Sequence, residues 1–160
     1  DFGEVLEAAL LDMKWHALSK DEAAAIDTPE KVSAYETKSL KDLGLEIDLV
    51  PPRYRTTYFN HIFSGPSGYS AGYYSYLWTQ MLDRDSRAWF LQNGGLTRAN
   101  GDHYRDTVLS RGGTMDYGEM YRNFANRDPD VKYMLIALGL ADESIDDASQ
   151  TAGQPEDRGE

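Results

Sequence analysis

Residues 70–92 read Ser-Ala-Gly-Tyr-Tyr-Ser-Tyr-Leu-Trp-Thr-Gln-Met-Leu-Asp-Arg-Asp-Ser-Arg-Ala-Trp-Phe-Leu-Gln. Leu77, Met81, Leu82, Trp89 and Phe90 make much of the buried face of a helix. No glycine or proline interrupts the run after Gly72, and Asn93-Gly94-Gly95 then stops it. The spacing predicts one long helix from about Ser70 to Gln92. A buried helix of this length, with no period-2 run elsewhere, makes the fold class all-α.

The flanking segments repeat the pattern. Before it, Phe2, Val5, Leu6, Ala9, Leu10, Met13 and Leu18 form the apolar side of an amphipathic helix of about four turns, with Trp15 nearby. Thr28 is a good N-cap and Pro29 suits the first helical position, so a second helix opens there and ends near Gly44. Pro51-Pro52 makes Leu45 to Arg53 an extended crossing. After the long helix, Thr97 caps another, with Tyr104, Val108 and Leu109 facing inward, and Ser110 to Gly113 form a turn. Asp116 caps a helix reaching about Asn126, and Asp128-Pro129 is expected to start the last, ending near Gly139. Residues 1–140 therefore read as one helical domain. Residues 141–160 carry seven acids, Arg158 as the lone base and almost no large apolar side chain. They read as a disordered acidic tail.

Composition excludes several classes. The net charge is -11, from 27 acids and 16 bases. Phosphate backbones and anionic membranes require clustered Lys and Arg, so nucleic acid and membrane are not expected partners. There is no cysteine, hence no disulfide or thiolate metal site. No apolar run reaches the length of a membrane span. No basic and apolar leader follows Asp1, which fits a processed protein or a piece of a longer one.

The chemistry-bearing residues are concentrated. Six of the eleven tyrosines fall between Tyr54 and Tyr76, together with His61 and with Gly65, Gly68 and Gly72. On a helix that includes Tyr69, the hydroxyls of Tyr69, Tyr73 and Tyr76 would share an arc of roughly 60°. Such stripes are more often packing than chemistry. This one, however, follows a Gly-Pro-Ser-Gly loop, which costs conformational entropy unless mobility or close backbone approach is useful. Gly68-Tyr69-Ser70-Ala71-Gly72 matches the nucleophile elbow Gly-x-Ser-x-Gly, with Asp102 and His103 downstream, but an elbow needs a preceding strand and an α/β sheet. His16, His61 and His103 are too far apart for a local zinc motif, and no His-Glu-x-x-His occurs. His16 and His103, on predicted helices, read as structural. Arg53 and Arg55 read as solvated or paired with surface acids, with a carboxylate-binding role as the alternative.

Several motifs in order resemble one family. Ala9-Leu10-Leu11-Asp12-Met13-Lys14-Trp15-His16, Tyr58 to Phe63, Gly68 to Trp78, Phe90 to Arg98 and Arg105 to Gly112 together resemble the C-terminal region of the thimet oligopeptidase family of zinc metallopeptidases, in its bacterial peptidyl-dipeptidase branch. The resemblance covers residues 2–140. It implies the C-terminal helical portion of a two-lobed, all-helical clamshell. Zinc would be held by an upstream His-Glu-x-x-His, so the metal ligands in this chain are none and the zinc-bearing N-terminal part of the same enzyme becomes an expected partner. It implies an oligopeptide substrate that loses C-terminal dipeptides, in the bacterial cytoplasm or periplasm. It also implies that Tyr76 and Tyr69 donate to the oxyanion, while His61, Tyr73 and Gly68 contact substrate. The chain alone is expected to be inactive. The alternative is a non-catalytic helical module that grips an extended peptide.

Overall fold

The computed structural model describes residues 2–65 and 68–142. The acidic tail expected at 141–160 lies almost wholly outside them. All regular structure among the described residues is helical, as the periodicity predicts. The chain divides into two compact units, residues 1–78 and 79–160.

In the first unit, α1 runs Phe2–His16, α2 Lys20–Ala25, α3 Pro29–Asp42 and the single turn α4 Asn60–Phe63. Thr28 caps α3 as expected, its hydroxyl accepting from Lys31 N–H at 3.3 Å, with Pro29 at the first position. Sequence reading did not foresee α2, which is short and fully polar outside its alanines. It is held by a capping box, in which Ser19 and Glu22 satisfy each other's main-chain N–H groups. Residues 45–53 are non-helical, in keeping with Pro51-Pro52.

The core of this unit is small and aromatic. Ala8 and Ala9 of α1 meet Phe59, Ile62 and Tyr73, with Val5, Tyr54 and Leu77 packed around them. The buried face of α1 is not the one the apolar spacing suggests. Glu7, Ala8, Ala9, Leu11 and Asp12 are buried, while Met13 is largely exposed. Two acids thus occupy core positions, and the alanines let neighbouring backbone approach them. Buried Glu36 of α3 similarly accepts from Thr56 N–H at 2.7 Å and from Arg55 Nε, fixing the segment that leads into the aromatic cluster. Arg55 is therefore paired with an interior acid, not a surface one.

The helix α5, Ser75–Gln92, runs on into the second unit and is followed by α6 Arg98–Thr107, α7 Tyr117–Ala125 and α8 Lys132–Ala137. The caps are those read from sequence. Thr97 accepts from Asn100 N–H and Asp116 from Glu119 N–H. Gly94 and Gly95, at φ 88° and 85°, close α5, with Gly95 N–H reaching the Phe90 carbonyl at 2.7 Å. Asn126 ends α7 in the left-handed region, at φ 62°. The last helix begins later than Asp128-Pro129. It starts at Lys132, and Asp130 N–H ahead of it donates to Asp85 Oδ2 at 2.7 Å. Tyr121, Phe124 and Ala125 form the core here, packed by Leu82, Trp89, Phe90, Tyr104 and Val108.

The largest departure lies at the start of α5. The helix begins at Ser75, five residues later than its spacing predicts. Tyr69 and Tyr73 are therefore not on it, and the three tyrosines do not form one helical stripe. The break falls at Ala71. Ala71 sits at φ 54°, a left-handed conformation that no α-helix tolerates, and Tyr73 and Tyr74 are in a turn.

Candidate functional site

The segment from His61 to Tyr76 is built by main-chain bonding. After the single turn of α4, the chain returns so that Tyr69 N–H donates to the His61 carbonyl at 3.0 Å. Gly68 N–H reaches the Gly65 carbonyl at 2.8 Å, and Gly72 N–H the Tyr69 carbonyl at 2.9 Å. Crowding favours glycine at Gly68. A Cβ there would meet the Gly65 carbonyl oxygen at 3.1 Å, Ser64 N at 3.3 Å and the His61 carbonyl oxygen at 3.4 Å. Ser70 Oγ donates to the Ile62 carbonyl at 3.0 Å. That bond, and the lack of any strand among the described residues, leave the Gly-x-Ser-x-Gly match without its elbow.

The loop is anchored from below by α1. Asp12, fully buried, accepts Ala71 N–H on Oδ1 at 2.8 Å and Tyr73 N–H on Oδ2 at 2.9 Å. His16 Nδ1 lies 2.8 Å from the same Oδ1 and 2.9 Å from the Asp12 carbonyl oxygen. The acid that the sequence leaves as an ordinary polar position of α1 is thus the support of the candidate site. A signal for it existed: Asp12 follows Ala8-Ala9-Leu10-Leu11 directly, and a lone acid inside an apolar helical run calls for a buried partner.

The side chains then separate into two sets. Tyr69 and Tyr76 are 70 % and 61 % exposed, and His61 is exposed. Tyr73 is 8 % exposed and belongs to the core. Its ring meets Phe59 edge-on at 5.0 Å and Tyr54 at 6.0 Å, and lies 5.1 Å from Tyr76. Burial, and then the nearby Tyr54, push the Tyr73 hydroxyl above the usual phenol value, against a smaller opposing effect of Arg53. Tyr54, which sequence reasoning did not single out, stacks on Phe59 at 4.9 Å and carries the His61 ring at 5.1 Å. His61 and Tyr76 are therefore presented from one aromatic platform of Tyr54, Phe59 and Tyr73. Tyr69 is joined to His61 through the main chain.

The pattern of Peptidase family M3 matches residues 1–140. The chain belongs to peptidase family M3. It is 45 % identical over 140 residues to the dipeptidyl carboxypeptidase of Escherichia coli (strain K12), a match covering 88 % of this chain and 20 % of that protein. The dipeptidyl carboxypeptidase of Salmonella typhimurium is 46 % identical over the same share of each. Oligopeptidase A of Escherichia coli is 40 % identical over 82 residues, which is 51 % of this chain and 12 % of the relative. The chain thus spans about one fifth of the length of the dipeptidyl carboxypeptidases it matches.

M3 peptidases are metallopeptidases, and the donor chemistry of this M3 chain can be set against that. Among the described residues, no group of three or more His, Cys, Asp or Glu is placed to hold a metal ion. His16 is turned to Asp12, His103 Nε2 lies 2.9 Å from the Phe124 carbonyl oxygen, and His61 rests on Tyr54. These residues do not fit a zinc site. What they offer is a loop of phenols and an imidazole. No helix among the described residues is long and apolar enough to cross a membrane.

Proposed function

We propose that this chain is the C-terminal helical part of a zinc peptidyl-dipeptidase of the M3 family. It would supply a wall of the substrate channel, and the zinc-bearing N-terminal part of the same two-lobed enzyme would supply the metal. In this reading the substrate is an oligopeptide that loses its C-terminal dipeptide. The branch is favoured by the extent of similarity, which spans 88 % of the chain for the dipeptidyl carboxypeptidases and 51 % for oligopeptidase A.

The observation that carries the reading is the division of the tyrosines. Tyr69 and Tyr76 are exposed, on either side of a turn held by main-chain hydrogen bonds, while Tyr73 is spent on the core. Phenol O–H groups held on such a support can donate to an oxygen that gains charge during peptide cleavage, with little reorganisation. His61, on its tyrosine platform, would contact the peptide. Gly68 admits the close turn that sets Tyr69 beside it.

The test is made on the full-length enzyme with a tripeptide blocked at its N-terminus. Dipeptide release should be abolished by a chelator and restored by zinc. Tyr69→Phe and Tyr76→Phe should each retain the fold, and at least one should lower kcat by about two orders of magnitude. Chelator-insensitive cleavage would sink the metallopeptidase reading. Unchanged kcat in both variants would sink the role of the phenols and leave a peptide-binding module as the better description.

A further inference from the structure

We propose that Asp12 is the positioning residue of the tyrosine loop: its buried carboxylate, shared between two loop amides, sets the main-chain geometry from which Tyr69 and Tyr76 are presented. The inference rests on the reading of those phenols as transition-state donors.

Asp12 is fully buried, and both of its oxygens are used. Ionised carboxylates do not enter a core without such compensation. Here two main-chain N–H groups and the His16 imidazole supply it. The two amides belong to Ala71 and Tyr73, which bracket Gly72. Ala71 has the left-handed φ of 54° that a residue bearing a Cβ adopts only when its surroundings impose it. A fork that fixes the residues on both sides of a strained turn dictates where the chain enters α5 at Ser75. It therefore sets the direction of Tyr76. On the other side of the turn, Tyr69 is tied to His61 O and Gly72 N. Asp12 itself is sealed below the loop, so it acts through the backbone and not on substrate.

The chemistry predicts what a near-isosteric change does. Asp12→Asn keeps one carbonyl acceptor but turns an NH2 group toward the other amide, so one of the two bonds becomes donor against donor. The turn would relax, and phenols displaced by about 1 Å lose on the order of a hundred-fold in rate. KM should change far less than kcat, because the loss falls on donors that matter as charge develops.

Two measurements on the full-length enzyme decide the matter. In the first, hydrogen exchange is read by mass spectrometry on peptides spanning residues 69–74. In the wild-type protein the Ala71 and Tyr73 amides should be protected, and in Asp12→Asn exchange of this segment should accelerate at least tenfold (an order-of-magnitude expectation), with the peptides of α7 unchanged. Wild-type amides exchanging at the rate of an open loop would overturn the proposal even if the variant failed to fold. The second is a kinetic cycle. Asp12→Asn should lower kcat between about ten- and a hundred-fold, and adding it to the Tyr69→Phe/Tyr76→Phe double variant should slow that enzyme no further, since both phenols that it positions are already gone. Multiplying losses would mark Asp12 as a general structural residue and overturn its positioning role. If the two Tyr→Phe variants retain full kcat, the phenol reading fails first and the positioning role falls with it. If they lose activity and Asp12→Asn does not, only the positioning role fails.

Discussion

Each unit buries one aspartate completely, and the two are compensated in opposite ways. Asp85, in the second unit, receives the Arg127 guanidinium on both oxygens and Asp130 N–H at 2.7 Å. Asp12, in the first, receives two main-chain amides and an imidazole. A guanidinium fork neutralises the charge and clips the segment after α7 onto α5; it is a structural closure. Main-chain amides instead transmit the position of the carboxylate into the backbone. The same residue type thus serves stability in one unit and shape in the other. Asp85 beside Arg127 holds that guanidinium well above its usual value, and burial followed by Asp85 pushes the Tyr121 hydroxyl up.

The contrast is broken most forcefully at Arg127. Arg127→Ala leaves Asp85 buried without its cation and should cost about 3–5 kcal/mol, seen as a lower denaturant midpoint of the full-length protein. Turnover per folded molecule should hardly change. Next in size is Tyr76→Phe, which should do the reverse: about a hundred-fold lower kcat with the same midpoint. A large stability loss in Tyr76→Phe, or a kcat loss in Arg127→Ala under fully folded conditions, would erase the distinction between the units.

A subtler probe is Glu7, another buried acid, whose Oε2 has no hydrogen-bond partner among the described residues. Burial, and then Glu4, raise its carboxyl above the ordinary value. The folded state favours protonated Glu7, so this contribution to stability is complete below the unfolded-state value and is lost as pH rises through the raised one. Glu7→Gln should therefore be the more stable protein at pH 7, and its advantage should shrink on acidification toward pH 4. Melting curves across that range read it out; a wild-type advantage at neutral pH would show that Glu7 is compensated like Asp12. Smallest of all are the caps. Thr28→Ala and Thr97→Ala should each cost about 1 kcal/mol, equally in the two units, because a cap is local and does not know which kind of core lies beneath it.

Helical class, caps and stops were legible because they are local: Thr28, Thr97, Asp116 and Gly94-Gly95 act on residues within a turn of themselves. The start of α5 was not. Its tyrosines continue the helical spacing, yet the strained turn at Ala71 is held by a residue 59 positions away, and periodicity carries no information at that distance. The candidate site was legible in residue type and order, through the motif that holds His61, Tyr69 and Tyr76. Its geometry was not, since Tyr73 proved to be core and Tyr54 the support of His61.

The bond from Asp12 to Ala71 also has a consequence in time. Closing a chain segment of 59 residues costs about 3–4 kcal/mol of loop entropy, and no local contact recovers it early. Secondary structure in α1 and α5 can form while the tyrosine turn is still unshaped. The loop acquires its final form only when the two distant parts of the first unit have already met. A partly unfolded chain in which α1 has come away therefore keeps the tyrosines but loses the bond that arranges the turn between them.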